Sequence, residues 1–141
     1  MDYNQIREET TVYLPVSAPG ALLFIGDGHA AQGDGELTGD ALETSMDVEF
    51  SVDLIKGFAT VNPRFENDEY LMSAGIGNSL SDALQYATTQ LLNWLQREYK
   101  LTPNEAAIVL RTAMRYDIAE VVDPQVHIVA KIRKDVVGQL K

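Results

Sequence analysis

Apolar and polar residues alternate most regularly over residues 47–54, where Val48, Phe50, Val52 and Leu54 interleave with Asp47, Glu49, Ser51 and Asp53. A period of two predicts a strand with one buried and one wet face. Residues 10–16 (TTVYLPV) are β-branched and aromatic up to Pro15, which predicts an edge strand. Residues 21–25 (ALLFI) form an unbroken apolar run between glycines and predict a buried strand. Residues 58–61 predict a further short strand, residues 64–69 a charged turn, and residues 70–74 a strand ended by Gly75 and Gly77. Across residues 80–99 the period changes: Leu84, Ala87, Leu91, Trp94 and Leu95 recur at helical spacing, with Ser79 or Ser81 as the cap. Thr102-Pro103-Asn104-Glu105 opens a second helix over 103–115 with Thr at N-cap, Pro at N1 and Glu at N3. Residues 126–133 return to strand, with Val126, Ile128, Ala130 and Ile132 on one face and His127, Val129, Lys131 and Arg133 on the other. Strands, a consecutive helix pair and a final strand make an α+β fold with an antiparallel or mixed sheet.

The 141 residues fit one domain, 1–141, with an ordinary share of hydrophobic residues (45%) and charges (23%) for a packed core. No run is long enough to span a membrane, and the polar start MDYNQIREET has no signal-peptide core. With no cysteine, neither a disulfide framework nor a thiolate ligand is available, and a cytoplasmic protein is the expectation.

Charge is distributed unevenly. Residues 1–50 hold ten Asp/Glu against Arg7 alone, a net of −9, whereas residues 51–141 carry eleven acids and ten bases. Such a balance repels a phosphate backbone and an anionic lipid surface, so neither nucleic acid nor membrane is expected as a partner. Clustered carboxylates attract a cation, although from charge alone a solvated acidic surface that aids solubility is the favoured reading.

Within this acidic third, residues 26–39 contain five glycines and predict a loop rather than a helix or strand. Asp27 and His29 stand two apart, which in extended backbone puts both on one side, close enough to share a cation. Asp34, Glu36, Asp40 and Glu43 supply further oxygen donors or a proton-transfer carboxylate within the same stretch. One imidazole with several carboxylates suits zinc or a similar divalent ion. Spacing alone leaves open the plainer reading, in which His29 is a loop residue bonded to a carboxylate. His127 reads as an exposed strand residue. Alanine at position 31 excludes the dinucleotide fingerprint, Thr38 excludes an EF-hand starting at Asp27, and neither a P-loop nor a G-x-S-x-G elbow occurs.

The run YLPVSAPGALLFIGDGHAAQGDGELTGDALETSMDVEF closely resembles the acetamidase/formamidase family. The resemblance rests on Leu14-Pro15-Val16, Gly20-Ala21, the Gly-Asp-x-His-Ala-x-Gln-Gly-Asp-Gly-Glu signature at residues 26–36, and Glu43-Thr44. Met1-Asp2-Tyr3-Asn4 resembles the end of the family's Gly-Gly-Asn-x-Asp motif, and the helix pair and Asp123-Pro124 match as well. Family members are longer, so the chain corresponds to their C-terminal half, and a further metal-site histidine is expected in the N-terminal half. The resemblance implies hydrolysis of small linear amides such as formamide and acetamide by metal-activated water, with zinc the expected metal. It implies Asp27 and His29 as ligands with Asp2 as a further one, and Glu36 as the proton-transfer carboxylate ahead of Glu43 or Asp34. The expected partners are a small amide substrate and either a second copy of the chain or the N-terminal half, with residues 10–16 and 126–133 as free strand edges. The alternative class is a non-catalytic or partner-dependent subunit that keeps the fold and a cation site.

Overall fold

The computed structural model describes residues 1–58 and 60–139. Its elements are β1 (Thr11–Tyr13), β2 (His29–Ala31), a single 3-10 turn (Asp34–Glu36), β3 (Leu42–Glu43), β4 (Arg64–Glu66), β5 (Tyr70–Gly77), α1 (Leu80–Glu98), α2 (Pro103–Ala113), β6 (Arg115–Glu120), β7 (Val126–Arg133) and α3 (Lys134–Gly138). Five strands form an antiparallel sheet in the order β1-β4-β5-β7-β6, and β2 and β3 form a separate antiparallel ribbon. The fold is α+β.

The centre of the sheet is the β5–β7 ladder, in register from Tyr70 opposite Arg133 to Gly77 opposite Val126. Because side chains alternate, Leu71, Ile128, Ala130 and Ile132 lie on the face covered by Ala83, Ala87, Leu91, Trp94 and Leu95 of α1 and by Ala106 and Val109 of α2. Ser79 caps α1 by accepting from the Asp82 amide, and Thr102 and Glu105 close a reciprocal capping box on α2. Gly75 does not end β5 but lets α1 rest directly on it. A Cβ there would lie 1.9 Å from the Ala83 carbonyl oxygen, so only glycine permits the approach.

The opposite face is covered by the N-terminal segment. Tyr3 packs with Phe65, Met72, Ala74, Ala119 and Val129 in a second core. Its hydroxyl donates to Asp117 Oδ2 (2.7 Å), which also receives Lys131 Nζ (2.6 Å).

Several elements depart from the sequence reading. Residues 64–69 contain β4 rather than only a turn, because Arg64 is buried as a cation, 2% exposed. Its guanidinium lies over the rings of Phe58 and Trp94 and bonds to Glu98 at 3.1 Å. The second helix stops at Ala113, so that Arg115 onward can pair with β7. The strand at residues 126–133 is no free edge: β5 and β6 flank it on both sides. Of residues 10–16 only Thr11–Tyr13 joins the sheet, as its edge strand. Residues 21–25 and 47–54 pair with no strand among the described residues, and Leu22 and Phe24 are 79% and 84% exposed. Apolar runs become ladders only where another strand lies alongside, and none does here. In the strand expected at 58–61, Ala59 lies outside the described residues and the others are not extended into a ladder. No described helix is long and apolar enough to cross a membrane.

Candidate functional site

The β2–β3 ribbon builds the site. His29 is paired with Glu43, so the two side chains leave the ribbon on the same face, and a bulge between His29 and Ala31 turns the strand after them. The Thr44 amide donates to the Gly28 carbonyl at 2.8 Å, which ties the strand end carrying Asp27 to β3. Asp27 itself adopts a left-handed backbone (φ 64°), a conformation that costs a non-glycine residue free energy and recurs at functional sites.

Together these constraints bring Asp27, His29 and Glu43 together, with donor atoms within 4.8 Å of one another. His29 Nε2 stands 3.3 Å from Asp27 Oδ1 and 3.2 Å from Glu43 Oε1. The imidazole is 10% exposed, whereas the carboxylates are open to solvent on one side. Despite these distances Nε2 makes no aligned hydrogen bond and is buried from water. An imidazole nitrogen flanked by two carboxylate oxygens is a donor set that fits a divalent cation.

The other ring nitrogen is committed. His29 Nδ1 lies 3.2 Å from Gln32 Oε1, and Gln32 Nε2 donates to Glu36 Oε2 at 3.3 Å. An ionised Glu36 can only accept, so the Gln32 amide must turn its NH2 toward Glu36 and its oxygen toward His29. That oxygen accepts only from Nδ1–H, which leaves Nε2 as the basic atom. Gln32 lay inside the recognisable sequence signature without a role of its own. Its spacing of three from His29 and four from Glu36 is the signal that links them.

Glu36 sits on the 3-10 turn in a left-handed conformation (φ 47°), nearly buried at 8% exposure. The preceding Gly35 carbonyl accepts from Val121 at the end of β6 (2.9 Å), so the turn is pinned to the main sheet. Burial pushes the Glu36 carboxyl above the ordinary carboxylate range, and Asp2, Glu120 and Asp27 push it further against the opposing pull of His29. Burial alone would lower the His29 pKa. The Gln32 hydrogen bond and the Glu43 and Asp27 carboxylates outweigh it and hold the imidazole above its usual value.

Glu43, expected as an alternative proton carrier, stands with Asp27 and His29. Asp2 is not in that trio. Its carboxylate lies 3.3 Å from the amino terminus, its amide donates to Glu120 Oε2 (3.4 Å), and its carbonyl lies 3.3 Å from His127 Nδ1. Asp34 and Glu36 both line an open cavity of about 320 Å³ with Gln32, Ala31 and Leu42. A larger cavity of about 520 Å³ lies elsewhere, against Tyr13, Phe58, Arg64, Trp94 and Arg97. It presents cations and aromatic rings, whereas the smaller one is lined by Gln32, which bonds both His29 and Glu36, so the smaller one is the cavity tied to the Asp27–His29–Glu43 trio.

His127 corrects the sequence reading outright. It is 1% exposed, enclosed by Tyr3 and Phe65, and burial lowers its pKa to about 4, helped by the amino terminus. The covering segment is distant in sequence, so strand alternation alone could not reveal it.

The model of the Acetamidase/Formamidase family matches residues 1–136. The crystal structure of acetamidase from Yersinia enterocolitica superposes with a TM-score of 0.88 at 37% identity, over 97% of this chain and 42% of that one. A predicted acetamidase/formamidase from the thermophile Thermoanaerobacter tengcongensis gives 0.90 at 29% identity, over 99% of this chain and 46% of that one. An acetamidase from Bacillus halodurans gives 0.78 at 27% identity, over 99% and 47%. No match was found among curated proteins. The chain spans less than half the length of each of these solved relatives.

Proposed function

The chain belongs to the acetamidase/formamidase family, and from that premise we propose that it carries a metal-dependent centre hydrolysing small linear amides. Formamide and acetamide would yield formate or acetate and ammonia. The observation that carries the metal part of this reading is His29 Nε2, buried between Asp27 and Glu43 without an aligned hydrogen bond while Gln32 occupies Nδ1.

Asp27, His29 and Glu43 would hold the ion, and zinc is the metal such a donor set fits. When bound, the ion supplies Lewis-acid polarisation of the amide carbonyl and lowers the pKa of the attacking water toward about 7. Glu36 would take a proton from the attacking water and return it to the departing nitrogen as the C–N bond breaks, and its raised pKa strengthens it as the acceptor. Asp34, on the same cavity, is the second candidate for the proton shuttle. Asp2 acts in this scheme chiefly through its charge, which helps raise the Glu36 pKa, and it remains the candidate for an additional oxygen donor. The small side chains Ala31 and Ala41 beside the cavity suit a short acyl group.

A partner-dependent version of this reading is favoured by the uncovered apolar segments at residues 21–25 and 47–54. It expects ammonia only when the rest of the family fold is supplied. The test is ammonia release from formamide and acetamide with zinc present, for the chain alone and for the chain joined to that remainder. His29→Ala should remove bound zinc and ammonia release together. Turnover that survives the substitution would sink the assignment.

A further inference from the structure

The accessible surface of the chain is 9301 Å². A compact protein of 15.6 kDa exposes about 7,250 Å². The excess, roughly 2,000 Å², exceeds the ~800 Å² that one partner contributes to a standard interface.

Two segments contribute large apolar side chains to this surface. Leu22, Leu23, Phe24 and Ile25, and then Val48, Phe50, Val52, Leu54 and Ile55, are all exposed. A monomer rarely leaves so many large apolar side chains open in two short segments. Neither segment joins a sheet among the described residues, and apart from the Ala21 amide, which donates to the Ala18 carbonyl, and the Leu54 amide, which donates to the Asp53 side chain, their backbone groups are open to a ladder. Residues 47–54 keep strict alternation, one face apolar and the other bearing Asp47, Glu49 and Asp53. That is the pattern of a strand that adds to a foreign sheet, packing one face and wetting the other.

We propose that residues 21–25 and 47–55 form a docking surface for the portion of the acetamidase/formamidase fold that this chain does not span. The occupant contributes strands to both segments and an apolar face to cover them. Each solved relative has more than half its own length outside the superposed region, which is enough polypeptide to cover such an area. A second copy of this chain is a worse fit. The first fifty residues carry a net charge of −9, so self-association through this surface sets two strongly acidic segments against each other. The proposal stands on area and backbone pairing, so it holds or fails independently of the amidase chemistry.

The test uses the chain and a separately produced polypeptide, the part of the Yersinia enterocolitica acetamidase outside the 42% that superposes on it. Light scattering after size exclusion should show a one-to-one complex. Hydrogen exchange should show protection appearing at residues 21–25 and 47–55 on mixing. Phe24→Asp and Phe50→Asp together should weaken the complex at least tenfold. The variant chain alone should keep its circular dichroism and Tm, because these side chains are exposed. Absence of a complex, a complex that leaves both segments unprotected, or affinity unchanged by the double substitution overturns the proposal. So does a dimer of the chain alone that already protects both segments.

Discussion

Gln32 is bonded to His29 through its side-chain oxygen and to Glu36 through its side-chain nitrogen, at 3.2 and 3.3 Å. One amide thereby fixes the imidazole tautomer and orients the carboxylate proposed to move protons. Gln32→Ala should weaken zinc binding about 10- to 100-fold, the usual effect of losing the group that orients a ligating histidine. Isothermal titration with zinc measures this directly. Gln32→Glu, which restores an acceptor for Nδ1–H, should recover much of the affinity. Equal loss in both variants would mean that the amide does not set the ring.

The raised pKa of Glu36 gives a pH prediction for activity. A proton acceptor works only when ionised, so kcat/KM for amide hydrolysis should fall on the acid side, at a pH above the ordinary carboxylate range. Glu36→Gln should remove that limb and reduce turnover by roughly 10²- to 10⁴-fold. Stability should move the other way. A folded-state pKa above the unfolded one means that the carboxyl's contribution is fully present below the unfolded pKa and is lost as pH rises through the folded one. Near neutrality Glu36 is therefore an ionised group held in a buried position, and Glu36→Gln should raise Tm at pH 7. A variant with full turnover, or with lower Tm at neutral pH, would contradict this role.

The helical half of the fold was legible because its signals are local. Thr102 and Glu105 close the capping box that their spacing promised, and Ala87, Leu91, Trp94 and Leu95 bury the face that their periodicity predicted. The nearness of Asp27 to His29 in the candidate site was legible for the same reason, whereas the approach of Glu43, read as a proton carrier, depends on the pairing of β2 with β3. What stayed hidden depends on distant chain. β4 was masked by Arg64, whose charge suggests a turn until Glu98 and Trp94 are seen to surround it. His127 alternates with apolar neighbours, but only the return of Tyr3 over the sheet buries it. Residues 21–25 and 47–54 show the converse, since a strand pattern carries no information about whether a strand lies beside it.

Gly75 is the least replaceable position in the core. Its missing side chain would meet the Ala83 carbonyl oxygen at 1.9 Å and the Ala87 amide nitrogen at 2.4 Å, both backbone atoms of α1. No rotamer change relieves such contacts, so the helix must lift from β5 and part Leu91 and Leu95 from the sheet. Gly75→Ala should cost at least about 3 kcal/mol, the upper range for an overpacked core, or prevent folding. Urea unfolding followed by tryptophan fluorescence reports it, because Trp94 lies on that helix. Gly138, where a Cβ meets nothing within 4 Å, provides the control, and Gly138→Ala should change stability by well under 1 kcal/mol.

His127 should govern the acid limit of folding. It is buried against Tyr3 and Phe65 with its Nδ1 toward the Asp2 carbonyl, and its pKa is lowered to about 4 by burial and by the nearby amino terminus. In the unfolded chain an imidazole titrates near 6.5. Between those values the unfolded state takes up a proton that the folded state refuses, so stability is intact above about 6.5 and declines as the pH falls toward 4. The full effect is on the order of 3 kcal/mol. His127→Phe removes the titration and keeps an aromatic ring in the core, so its Tm should fall less between pH 6.5 and 4 than that of the parent chain. The N-terminal segment should be the first part to loosen, because Asp2 and Tyr3 lie directly over the ring. Hydrogen exchange at pH 5 should therefore show the amides around Tyr3 deprotected ahead of those in the β5–β7 ladder. Parallel Tm profiles for the two proteins would show that His127 is not the group that sets the acid limit.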